Sequence, residues 1–132
     1  MKKRIAIAMA VAVLPAGCGG SSDSGQISGT IKTYLAAIAH GDGKTACAQL
    51  TSDVARELSH AAAGLGATSC PQAVRAVARH LSGHAQQILL NAQVTSVQVS
   101  GHRAAAHVKG ATRVFDMTKI GGRWLISGGI TG

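Results

Sequence analysis

Apolar residues in the first half of the folded chain recur at helical spacing. Ile27, Ile31, Tyr34 with Leu35, and Ile38 follow at intervals of three or four, which predicts an amphipathic helix stopping at Gly41-Asp42-Gly43. A second helical stretch puts Cys47 and Leu50 on one face. Thr51 is then placed to cap a third helix, with Asp53 in its first turn and Val54, Leu58 and Ala61 pointing one way until Gly64 and Gly66 end it. Pro71 suits the first turn of a fourth, in which Val74, Val77 and Leu81 share a face. Gly83 interrupts it, and Ile88-Leu89-Leu90 reads as a short helical continuation.

After Asn91 the period changes to two. Val97 and Val99, then Ala104, Ala106 and Val108, then Phe115 and Met117, then Trp124 and Ile126 alternate with their neighbours, which predicts four strands. The breaks at Ser100-Gly101-His102, Gly110 and Gly121-Gly122 are short enough for an antiparallel meander. Helices followed by hairpins define an α+β class, with N-terminal helices packed on a curved antiparallel sheet of about four strands. Residues 27–132 suit one small domain, and no internal repeat divides them.

The beginning of the chain has a different logic. Lys2, Lys3 and Arg4 precede an apolar run from Ile5 to Leu14, which is too short for a helical span of about 20 residues and reads as the core of a signal peptide over residues 1–17. Leu14-Pro15-Ala16-Gly17-Cys18 resembles a bacterial lipobox, with Pro15 where a leucine-like residue usually stands. The resemblance implies a diacylglycerol and palmitate modification of Cys18, and export to the extracytoplasmic face of the cell membrane, where the lipid is the anchor. Residues 18–26, rich in Gly and Ser, are expected to form a flexible tether, Asp23 included.

Charge and cysteines extend this picture. Removing the leader takes three basic residues from 13, leaving 10 Lys/Arg against 5 acids and a net charge of +5, which attracts the domain to anionic head groups. Nucleic acid is excluded as a partner, because the basic residues are scattered and the three aromatics Tyr34, Phe115 and Trp124 make no stacking platform. Cys47 and Cys70 are an even pair in an exported segment and are expected to bond, against the alternatives of a redox thiol or an unbonded pair.

Several of these residues also carry a family resemblance. Ile31-x-x-Tyr34-Leu35-x-Ala37-x-x-x-Gly41-Asp42, Ala46-Cys47-x-x-Leu50-Thr51, Cys70 and Gly122-Arg123-Trp124-x-Ile126 together resemble the nuclear transport factor 2-like (cystatin-like) domain of exported bacterial lipoproteins. The resemblance implies a cone-shaped cavity between sheet and helices, whose wall would be drawn from Tyr34, Phe115, Met117, Trp124 and Ile126. That superfamily includes ketosteroid isomerase and SnoaL-like enzymes as well as non-catalytic accessory domains, so the fold alone does not select an activity.

Isomerase or lyase chemistry of that kind needs a carboxylate in an apolar cavity. Asp42 and Asp53 read as cap and first-turn residues and Glu57 as a solvated partner for Arg56 or a neighbour, leaving Asp116 as the one strand acid, on the face opposite Phe115 and Met117. His80 and His84 are four apart, but the glutamate of a zincin motif is missing, Gly83 loosens the helix, and His60, His102 and His107 would have to complete a site by folding. Neither catalytic nor metal-binding residues nor a cofactor are therefore assigned. The expected function is non-enzymatic binding of a small apolar ligand or an envelope protein partner near the membrane; the alternative is a SnoaL-like or ketosteroid-isomerase-like lyase or isomerase acting on an exported small molecule.

Overall fold

The first helix is longer than its apolar pattern. The computed structural model describes residues 19–130, in which helix α1 spans Gly19–His40 and buries Ile27, Ile31, Tyr34, Leu35 and Ile38. The stretch expected as a tether is thus helical from residue 19, although Gly25 and Gly29 each cost about 1 kcal/mol relative to alanine. The expected signal peptide, residues 1–17, and the expected lipidation site, Cys18, lie outside the described residues.

Helix α1 ends where Gly41 adopts a φ of 68°, a conformation open mainly to glycine. Asp42 then caps α2 (Gly43–Ala48), accepting a 3.2 Å hydrogen bond from the Thr45 N–H, and the Thr45 side chain together with that N–H holds its carboxyl below the usual range. Helix α3 (Ser52–Ala61) starts at Thr51, whose hydroxyl accepts from the Val54 N–H, and runs into a 3-10 turn at Ala63–Leu65. Helix α4 (Cys70–His80) has Ser69 as cap and Pro71 in its first turn, and α5 (Gly83–Leu90) has its own cap in Ser82. Cys47 and Cys70 form a disulfide that joins α2 to the start of α4. The two backbones meet closely there: a Cβ on Gly43 would lie 2.6 Å from the Pro71 Cα, so only glycine fits.

Four strands follow, β1 (Val94–Ser100), β2 (Arg103–Val108), β3 (Val114–Ile120) and β4 (Arg123–Gly128), in the antiparallel order β1-β2-β3-β4. The period of two sends Ala104, Ala106, Val108, Phe115, Met117, Trp124 and Ile126 inward, where all are buried against the helices. Every strand expected from the alternation is present. The outer edge of β4 is covered by the α2–α3 connection, through bonds from Thr51 N–H to Ile126 O (3.0 Å) and from Ile126 N–H to Gln49 O (2.8 Å). Strand β1 is the other edge. Val97 and Val99 stand opposite the inward Ala106 and Ala104, yet Val99 remains 40% exposed because the helices do not reach over that margin.

Candidate functional site

Helix α5 leaves an apolar groove because three consecutive apolar residues cannot all face inward on a helix that turns about 100° per residue. Leu89 is half-buried, whereas Ile88 is 58% and Leu90 38% exposed. Ile88 and Leu89 form one bank of a groove of about 590 Å³, with Leu35 of α1 beneath and Val108, Phe115 and the β2–β3 turn opposite. That volume falls within the range of small-molecule sites. A hydrogen bond from the Lys109 N–H to Gln93 O (2.8 Å) ties the turn to the segment leaving α5 and closes one end. Asn91, Gln93 and Lys109 supply the polar side chains of the lining, which carries no carboxylate, histidine or thiol.

Of the five residues expected as cavity wall, Phe115 alone borders this groove. Tyr34, Met117, Trp124 and Ile126 lie outside its lining and are buried in the core between the helices and the sheet. The Tyr34 ring meets Phe115 edge-on, with centroids 6.5 Å apart and planes at 73°. Burial pushes the Tyr34 phenol up to about 12. A raised phenol contributes stability that is present below the ordinary value near 10 and lost as pH rises towards 12, about 2–3 kcal/mol in all. Tyr34 is the only tyrosine, so the native tyrosinate absorbance should have its midpoint near 12, or rise together with loss of ellipticity. A free midpoint at 10 in folded protein would contradict this burial.

The acids have settled elsewhere. Asp116 is exposed on the outer face of the sheet opposite Ala105, and Asp53 pairs with Arg56 at 2.9 Å in solvent. His80 ends α4 and His84 lies in α5, with Leu81 extended between them, so the pair shares no helix face. No group of three metal-ligating side chains occurs among the described residues.

Asp23 was not expected to have a structural part. Its carboxylate accepts a 2.9 Å hydrogen bond from Trp124 Nε1 and a 3.3 Å contact from Lys119 Nζ, while that ammonium lies 5.8 Å from the Trp124 ring centre. The indole bond, then the Lys119 bond and charge, hold the Asp23 carboxyl low against some desolvation. This link therefore favours the fold above the ordinary carboxylate range and fades on acidification. Nothing local in Gly-Ser-Ser-Asp-Ser-Gly signals it; the only hint is that a core tryptophan needs an acceptor for its indole N–H.

The fold and groove together define a small α+β domain with an open apolar groove and a disulfide staple. Comparison of the chain with family models, curated proteins and solved structures finds no match. No helix among the described residues is long and apolar enough to cross a membrane.

Proposed function

We propose that this chain is a membrane-anchored envelope lipoprotein of the nuclear transport factor 2-like kind, whose domain binds a small apolar ligand without transforming it. The observation that carries the binding reading is the groove bounded by Ile88, Leu89 and Phe115: an apolar surface with a few amide and ammonium groups at its margin is what a ligand site of this size requires. The lyase or isomerase alternative needs a carboxylate aimed into such a surface, and Asp116, the strand acid available for it, lies on the other face of the sheet.

Photolabelling tests this in membranes holding the full protein. A diazirine-bearing aliphatic alcohol should label peptides containing Ile88–Gln93 and Val108–Ala111 saturably. Ile88→Glu should lower that labelling about tenfold or more, because an apolar probe would have to desolvate a carboxylate, while the exposed position leaves the melting temperature nearly unchanged. Diffuse labelling, insensitive to Ile88→Glu, would refute groove binding.

A further inference from the structure

We propose that the end of the sheet carrying the β1–β2 and β3–β4 turns is a docking surface for an anionic lipid bilayer. In a four-stranded meander these two turns fall at the same end, and here a hydrogen bond from the Lys119 N–H to His102 O (2.8 Å) joins them. The start of α1 is held at this end too, through Asp23 on Trp124 Nε1 and Lys119.

The proposal rests on the anchored reading of Cys18, because that reading puts the lipid here. Cys18 is five residues before Asp23, which is about 8 Å along a helix and at most about 18 Å if that piece is extended. The anchor is therefore confined to this end of the domain whether or not the first turn of α1 frays. A long flexible leash would have allowed any face to meet the membrane; the Asp23 contacts shorten it.

The chemistry of this end suits an anionic surface. Arg103 lies opposite Thr118, and Ile120 opposite Arg123, so both exposed arginines flank Ile120, which is itself 52% exposed. Lys119 projects on the inner side next to Trp124. Of the described residues that the two turns and the start of α1 bring here, Asp23 is the one carboxylate, and it is already engaged by the indole and Lys119. Basic side chains brought within a Debye length of about 8–10 Å of anionic head groups are attracted to them, and a flanked isoleucine can enter the interface. In this pose the apolar groove, built on the β2–β3 turn at the opposite end, opens away from the lipid.

Trp124 is the chain's only tryptophan and lies at this end, so it serves as the reporter. Processed protein extracted from membranes would be reconstituted in phosphatidylcholine vesicles with or without phosphatidylglycerol, each containing a nitroxide head-group lipid. Quenching of Trp124 should be about threefold or more greater with phosphatidylglycerol, and should fall at high salt. The Arg103→Glu/Arg123→Glu variant should lose that dependence while keeping its vesicle retention and melting temperature. If intact mass shows lipid on Cys18 but quenching is equal in both vesicles and in the variant, the docking surface is wrong and the anchor stands. If the mass shows no lipid and the protein does not float with vesicles, both fail. Arginine-dependent crosslinking to a second copy, with no lipid effect, would overturn the bilayer as occupant.

Discussion

Trp124→Ala should lower the unfolding free energy by about 3–5 kcal/mol, a large share of the 5–15 kcal/mol expected for a domain of this size. Trp124 is 2% exposed and is the largest side chain in a core of Ile, Leu, Val and Ala with Tyr34, Phe115, Met117 and Cys70, so truncating it leaves a large void. The same substitution removes the indole N–H from Asp23, so the start of α1 loses its tie to β4. Trp124→Phe should recover much of the packing without restoring that tie. Urea titrations followed by circular dichroism measure both, since a lower midpoint at unchanged slope reports stability alone. A loss below about 1.5 kcal/mol for the alanine variant would mean the indole is not a core residue.

Opening the disulfide should have the next largest effect. The bond between Cys47 and Cys70 closes a loop with a sequence separation of 23. On the chain-entropy model, freeing a loop of that length favours the unfolded state by roughly 3 kcal/mol. The Cys47→Ala/Cys70→Ala variant should lose about that much, and reductant should move the parent, not the variant, to the lower midpoint. Because Gly43 and Pro71 already meet backbone to backbone beside the bond, α2 and α4 should remain packed in the folded state. Coincident midpoints for parent and variant would show that the staple contributes nothing. The Cys47→Ala/Cys70→Ala change acts on α2 and α4 while Trp124 acts on β4 and α1, so the two losses should add.

How much of this was legible in advance follows from the range of the forces involved. Turn and cap chemistry is local: Asp42, Thr51 and Ser69 each bond an N–H three residues on, and Gly41 is needed where φ turns positive. The strands were legible for the same reason, since one buried face imposes a period of two on Ala104, Ala106, Phe115, Met117, Trp124 and Ile126. The candidate site was much less so. Among the expected wall residues, Phe115 reached the groove and the others became core, because whether a buried residue borders a void depends on how far α1 and α5 stand from the sheet. Ile88-Leu89-Leu90 reads from the sequence only as a helical continuation, and which of the three is exposed follows only from the orientation of α5.

The sequence by itself determined the α+β class, the order of helices and strands, the inward face of each inner strand and the cysteine pair available for bonding, all from interactions a few residues long or from composition. Only the tertiary structure decided that residues from 19 onward join α1. Their glycines argue against a helix locally, and the opposing contacts come from Lys119 and Trp124, 96 and 101 residues away in the chain. It also decided the groove, which exists because α1, α5 and the β2–β3 turn meet from three distant parts of the chain. Periodicity reports which side of an element is dry; the distance between two dry sides is set only when every element has packed.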